Sequence, residues 1–217
     1  MKATVSCPGS CGELVQGTAD GMNFLVTCPV NIFSRVSVSL TSGTALQQPA
    51  GNKTREAVRR TLEYLHVTAG VEEVQVDSQL PVGKGMASSS ADISAACLAA
   101  ALAAGREISE AAIGDIALAI EPTDGIFLPG ITMFDHVHGL IRRCLGQPPA
   151  LLVAIFDVGG EVDTIHFNQR TDLAELNRRK EPQVLTALQM VERGIKNADC
   201  SLIGAGATLS ALANQPI

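Results

Sequence analysis

The chain carries 217 residues, 46% apolar and 18% charged, enough to bury a core as one domain or as two small ones. With 16 basic against 22 acidic side chains its net charge is −6, and one Tyr, six Phe and no Trp leave little for base stacking, so nucleic acid is excluded as a partner. No apolar run reaches the roughly 18 residues of a membrane span, and Met1-Lys2-Ala3-Thr4-Val5 is not a secretory leader. These features predict a cytoplasmic protein with no membrane partner.

In chain order, residues 3–6 and 14–15 read as short strands and residues 24–30 and 33–40 as longer ones, with Val36, Val38 and Leu40 alternating against Ser37 and Ser39. Residues 41–51 form a polar loop. Ala57, Val58, Leu62 and Leu65 recur at helical spacing within residues 53–65, and Val74-Gln75-Val76-Asp77 alternates like a strand. Residues 89–104 predict a helix with Ile93, Ala96, Cys97, Ala100, Ala101 and Ala104 on one stripe. Only Asp92 and Ser94 interrupt its apolar surface, so it is expected to be buried on most sides. Ser109 caps a helix over 110–119 that stops before Pro122. Beyond Pro148-Pro149, residues 151–156 read as a buried strand, followed by a charged helix over 171–196 and an Ala-rich helix to the chain end. Gly204-Ala205-Gly206-Ala207-Thr208 belongs to that last helix, because Leu202, Leu209 and Leu212 continue a stripe around it. The six cysteines, Cys7, Cys11, Cys28, Cys97, Cys144 and Cys200, form no C-x-x-C pair and are read as reduced, with Cys7 and Cys11 a thiol pair in a turn. Strands followed by helices give an α+β class, with a boundary near residues 147–150.

The segment Leu80-Pro81-Val82-Gly83-Lys84-Gly85-Met86-Ala87-Ser88-Ser89-Ser90-Ala91 carries the most chemistry. Glycines give a tight loop its backbone freedom, the serines are candidates to cap the helix that follows, and the helix start aims N–H groups and its positive dipole end at one point. That is an anion site, most often for phosphate. The same residues also fit an ordinary capped helix after a glycine turn. The order is not that of a Walker loop, which needs Lys-Ser or Lys-Thr after its last glycine. Nor is it the dinucleotide fingerprint, since Ser88 stands where the third glycine belongs.

From Pro81 through Gly85, Met86, Ala87, Ser88 and Ser89 to Ser90, the run resembles the second motif of the GHMP kinases, P-x-x-x-G-[LM]-[GA]-S-S-[AST]. This is the family named for galactokinase, homoserine kinase, mevalonate kinase and phosphomevalonate kinase. Cys7-Pro8-Gly9-Ser10-Cys11-Gly12-Glu13-Leu14-Val15-Gln16-Gly17 resembles its first motif, and Ile120-Glu121-Pro122-Thr123-Asp124-Gly125 lies where the family places acidic residues. The wording of all three is most similar to the branch that phosphorylates L-threonine for cobalamin synthesis. The resemblance implies the GHMP kinase fold. Residues 1–147 would form its N-terminal nucleotide-binding domain, of the type shared with a small-subunit ribosomal protein. Residues 148–217 would form a C-terminal ferredoxin-like α+β domain that is incomplete, because the family is usually longer and its third motif is not recognisable here. Leu173, Leu176, Leu185, Leu188 and Val191 would then lie partly exposed, favouring self-association.

The resemblance also implies roles. ATP would bind along Pro81, Gly83, Lys84, Gly85, Met86, Ala87, Ser88, Ser89 and Ser90, with Lys84 neutralising phosphate charge. Mg²⁺ would be held by Ser89 and Glu121, and Asp124 would act as base or orient the hydroxyl. Glu13 and Gln16 would face the substrate, an amino acid bearing a hydroxyl. Read without the resemblance, Glu121 is equally a helix-end residue and Asp124 a turn residue. Asp135-His136-Val137-His138 is read as structural rather than as a metal cluster. Three functions fit: an L-threonine kinase, a kinase of homoserine or another short alcohol, and a nucleotide-binding relative without turnover.

Overall fold

The structure is a computed structural model that describes residues 1–43, 52–157, 159 and 173–215, apart from the side chains of residues 173 and 174. Residues 44–51 of the expected polar loop and the expected helix start at 171–172 lie outside that description.

Its framework is one long hairpin. Strand β1 (Lys2–Ala19) runs antiparallel to β2 (Met22–Thr41), and Asp20 and Gly21, at φ 51° and 76°, close the two-residue turn between Ala19 and Met22. Four separate strands are expected from the sequence, and two are found. The Pro-Gly and Cys-Gly dipeptides that read as breaks are absorbed as register shifts between Pro8 and Ser10, Ser10 and Glu13, and Glu13 and Val15. β3 (Gly70–Ser78) pairs with β2 at the open end of the hairpin, and β4 (Ile131–Phe134) pairs with Leu25, Val26 and Thr27 nearer the turn. β5 (Arg142–Gly146) joins β4, and every pairing is antiparallel. With its helices set against such a sheet, the chain is α+β.

Two apolar cores share this hairpin. At the open end, Val36, Val38 and Leu40 pack with α2 (Ser88–Ala103), which α1 (Lys53–Tyr64) and α3 (Glu110–Leu118) flank. Eleven of the sixteen residues of α2 are buried, most of them alanines whose small side chains let the helix seat closely on β1 and β2. Asn52 and Ser109 cap α1 and α3 by accepting from Thr54 N and Ala112 N. At the turn end, Val15, Phe24 and Val26 pack with Val184, Ala187 and Val191 of α4 (Leu173–Asn197) and Ile203 of α5 (Cys200–Asn214).

Two expectations change here. Residues 151–157 form no strand, and Leu152 and Phe156 are exposed. The apolar stripe of α4 is largely covered: Leu188 and Val191 are buried against the turn end of the hairpin, and Leu176 and Leu185 are half-buried. The side chain of Leu173 lies outside the described residues.

Helices α4 and α5 cross closely because glycine stands at the contact. A Cβ on Gly206 would lie 2.8 Å from Val191 Cγ2 and 2.9 Å from the Ala187 carbonyl, whereas one on Gly204 would meet nothing within 4 Å. Gly206→Ala is therefore expected to destabilise the protein by about 1–3 kcal/mol through overpacking. Gly204→Ala, gaining only helix propensity, should stabilise it by about 0.5–1 kcal/mol. Urea unfolding midpoints of the two variants should move in opposite directions.

Candidate active site

The loop before α2 takes its shape from backbone conformations that favour glycine: Gly83 at φ 71° and Gly85 at φ 69°, with Ala87 also left-handed at 56°. The first motif backs it directly. Ser10 N donates to the Met86 carbonyl at 3.1 Å, and a Cβ on Gly9 would sit 2.3 Å from Leu80 Cδ2 and 2.7 Å from Met86 O. Only glycine lets the two motifs touch at this point.

The expected capping role of the serines is corrected. Ala87 is the N-cap of α2 and makes no side-chain cap, while Ser88, Ser89 and Ser90 lie inside the first turn. Two of their hydroxyls turn instead to carboxylates. Ser89 Oγ donates to Glu121, and Ser90 Oγ donates to Asp124 Oδ2 at 3.1 Å while accepting from the Asp124 backbone N–H at 3.1 Å. The first turn of α2 is left without a side-chain cap beside these groups, the arrangement that receives anions.

The acidic segment is placed by backbone bonds at both ends. Glu121 N donates to Ala117 O at 3.0 Å, closing α3, and Thr123 N donates to His136 O at 3.1 Å. Glu121 also pairs with Lys53 Nζ at 2.5 Å. Glu13 arrives from β1, where Thr27, its cross-strand partner, donates to Glu13 Oε2 at 3.0 Å. Its carboxyl shares a hydrogen bond with that of Asp124. Burial first, and the charge of Asp124 second, hold Glu13 well above the usual carboxylate range. Burial also raises Asp124, against the lowering hydrogen bonds from Ser90 and Glu13. Glu13 therefore keeps the proton and donates it toward Asp124, one proton held between two carboxyls.

The remaining predicted residues disperse. Lys84 Nζ pairs with Asp157 at 3.0 Å. Gln16 does not join Glu13: it is exposed, and its backbone ties β1 to α5 through Ser210 Oγ at 3.1 Å and Asn214 Nδ2 at 3.2 Å. Asp135 is buried and accepts from the N–H groups of Val137, His138 and Leu140 at 3.0, 3.1 and 3.2 Å, the structural role expected of that motif. Among the described residues no group of three His, Cys, Asp or Glu side chains is placed to hold a metal. Cys7 and Cys11 part company, Cys7 into the open-end core and Cys11 toward Cys28. Sequence reading missed Thr27, Lys53 and Asp92, whose carboxylate accepts from Ser34 Oγ at 2.5 Å. Thr27 becomes legible only once the hairpin register pairs it with Glu13. Lys53 meets a partner 68 positions away, for which the sequence carries no signal.

A cavity of about 460 Å³ opens between the hairpin and the C-terminal segments, lined by Cys11, Leu14, Cys28, Leu151, Cys200 and Ile203 among others. A phosphate-type loop backed by the bulged Pro8-Gly9 of β1 and faced by a coupled carboxyl pair defines a phosphotransferase class. Residues 52–128, from the cap of α1 to just past the acidic segment, match the GHMP kinases N terminal domain. The chain is 30% identical to the L-threonine kinase of Salmonella typhimurium over 99% of its own length and 71% of that protein's. It is 32% identical to the L-threonine kinase of Citrobacter freundii over 98% and 74%. The chain belongs to the GHMP kinases, ATP-dependent enzymes that phosphorylate a hydroxyl. In fold it is similar to a homoserine kinase from Cytophaga hutchinsonii, at TM-score 0.64, 19% identity and coverage of 95% and 71%. It is similar also to the Methanococcus jannaschii mevalonate kinase, at TM-score 0.63, 13% identity and coverage of 99% and 80%.

The raised carboxyl pair has a consequence for stability. Above the ordinary carboxylate pKa of about 4 the unfolded chain releases these protons while the folded chain retains them, so this contribution to stability falls as pH rises. In Glu13→Gln an amide replaces the retained proton. Its unfolding midpoint relative to the parent should therefore shift in the variant's favour between about pH 4 and about pH 7.5. Denaturant melts at the two pH values measure this; a constant difference would mean that Glu13 ionises normally.

Proposed function

We propose that this chain transfers the γ-phosphoryl group of ATP to the hydroxyl of L-threonine, giving O-phospho-L-threonine for cobalamin synthesis in the cytoplasm. The observation that carries the reading is Asp124, held by Ser90 at the first turn of α2 with the Glu13 carboxyl beside it. The two L-threonine kinases to which the chain is similar support the choice of acceptor.

In this reading the loop from Pro81 to Ala87 and the first turn of α2 receive the phosphates through backbone N–H groups. Lys84 exchanges Asp157 for phosphate charge. Asp124, made more basic by burial, takes the proton of the acceptor hydroxyl, while Glu13 keeps its own proton and fixes the orientation of Asp124. Ser89 and Glu121 would hold Mg²⁺: both offer hard oxygen donors, they already meet, and the ammonium of Lys53 beside Glu121 marks the spot as one that favours positive charge. Mg²⁺ supplies neutralisation of phosphate charge. Residues 1–147 would serve ATP, and residues 148–217 would wall the acceptor, with Leu151 and Ile203 lining the cavity against the hairpin.

Kinetics of variants separate the roles. Asp124→Asn should lower kcat about 10²–10⁴-fold with little change in KM for ATP. Ser89→Ala and Glu121→Gln should instead raise the Mg²⁺ concentration needed for half-maximal rate, about 10–100-fold. Equal, small losses in all three would assign these residues to structure alone.

A panel of amino alcohols in an ADP-release assay tests the acceptor. L-threonine should exceed L-serine in kcat/KM by about 10–200-fold, the worth of one methyl group in an apolar pocket. Preference for homoserine would overturn the L-threonine reading while leaving the kinase intact.

A further inference from the structure

The cavity between the hairpin and the C-terminal segments holds chemistry that phosphoryl transfer does not use. Cys11 and Cys28 both line it, and both are free thiols. They come from neighbouring strands: the β1–β2 register passes from Ser10 opposite Pro29 to Glu13 opposite Thr27, so Cys28 stands across from the bulged pair Cys11 and Gly12. Facing residues on antiparallel strands have Cα atoms about 4.5–5.5 Å apart, within the span of about 4.4–6.8 Å that a disulfide bridges. The hairpin thus sets the two thiols across from each other on neighbouring strands.

Their environments differ in a useful way. Cys28 is buried, whereas Cys11 is half-buried and faces the cavity. The neighbouring Cys28 thiol lowers the pKa of Cys11 to about 7, while Cys11 and burial push Cys28 up; the Cys28 thiol itself donates to the Pro29 carbonyl at 3.8 Å. One accessible sulfur is thus the nucleophile, and its protonated neighbour is the reserve. Cys7 is set apart: burial in the open-end core pushes its thiol up to about 12.

We propose that Cys11 is a modification site for low-molecular-weight disulfides, and that Cys28 resolves the adduct into a reversible Cys11–Cys28 bridge that closes the acceptor side of the site. The Cys11 thiolate attacks one sulfur of RSSR, forming Cys11–S–S–R and releasing RS⁻. The Cys28 thiol gives its proton to RS⁻, and the resulting thiolate attacks the Cys11 sulfur. This step forms the bridge and expels a second RS⁻, which takes up a proton from water. The two protein sulfurs are oxidised and RSSR is reduced to two thiols. Cys11 lies two residues before Glu13, and Cys28 directly follows Thr27, the residue that holds Glu13. A bridge between them ties the two strands together immediately to one side of that bond, at the wall of the cavity. This effect on turnover rests on the kinase reading; the thiol chemistry does not.

The reduced full chain is exposed to oxidised glutathione, its remaining thiols are alkylated, and its peptides are mapped by mass spectrometry. The expected product is a Cys11–Cys28 cross-linked peptide that dithiothreitol abolishes. Cys28→Ser should stop at a glutathione adduct on Cys11, and Cys11→Ser should give neither product at this site. Turnover of the oxidised parent chain should fall about tenfold or more and return on reduction. Adducts confined to the exposed Cys144 and Cys200, or a bridge from Cys11 to Cys200, would overturn the site. A Cys11–Cys28 bridge with undiminished turnover would overturn its regulatory consequence. A reduced protein inactive on every acceptor would count against the kinase reading alone, since the peptide map reads the thiols independently.

Discussion

Everything in this molecule depends on β1 and β2 remaining one continuous hairpin through a stretch of sequence that should interrupt it. Pro8, Gly9 and Gly12 would each end an ordinary strand, yet pairing resumes after every register shift, and the shifts re-aim the side chains between them. That re-aiming is what the site uses. Gly9 and Ser10 meet the phosphate loop at Leu80 and Met86, while Glu13 turns to Thr27 and Asp124. A regular strand, with strict alternation, would not set its side chains in this order along one edge.

The hairpin also explains why the coupled carboxyls exist. Glu13 and Asp124 come from distant parts of the sequence and are pressed together where β1 passes the start of α2. Two ionised carboxylates at that separation repel, and burial adds to the cost, so the pair keeps a proton. Ser90 and Thr27 supply the hydrogen bonds that make the arrangement tolerable. The strain of an acidic pair is confined to one place, where a proton acceptor of raised basicity has a use.

Much of this was legible in the sequence, and the rest was not, for physical reasons. The helices were readable because caps and apolar spacing are local: Ser109 before α3 and the stripe Ala57, Val58 and Leu62 in α1 needed no knowledge of the fold. The phosphate loop was readable because its glycines and serines are adjacent. The strands were misread as short because a bulge looks like a terminus until its partner is known. The serines were misassigned as caps because Ser88, Ser89 and Ser90 are equally good at bonding a carboxylate, and the carboxylates sit more than thirty positions away. The segment over residues 151–157 has the composition of a buried strand but pairs with none among the described residues, and pairing is a property no local pattern reveals.

The division of one hairpin between two cores has a consequence for the order in which this protein is made. Phe24 and Val26 are covered by Val184, Ala187, Val191 and Ile203, about 160 positions later in the chain. At ribosomal rates of roughly 5–20 residues per second, those strand residues emerge roughly ten to thirty seconds before their covering helices exist. The open-end core needs nothing beyond α3 and the acidic turn, so it can close first and hold the hairpin in register. For that interval the nascent protein presents an apolar strand face at the turn end, the kind of surface that chaperones bind and that neighbouring nascent chains on a polysome can capture.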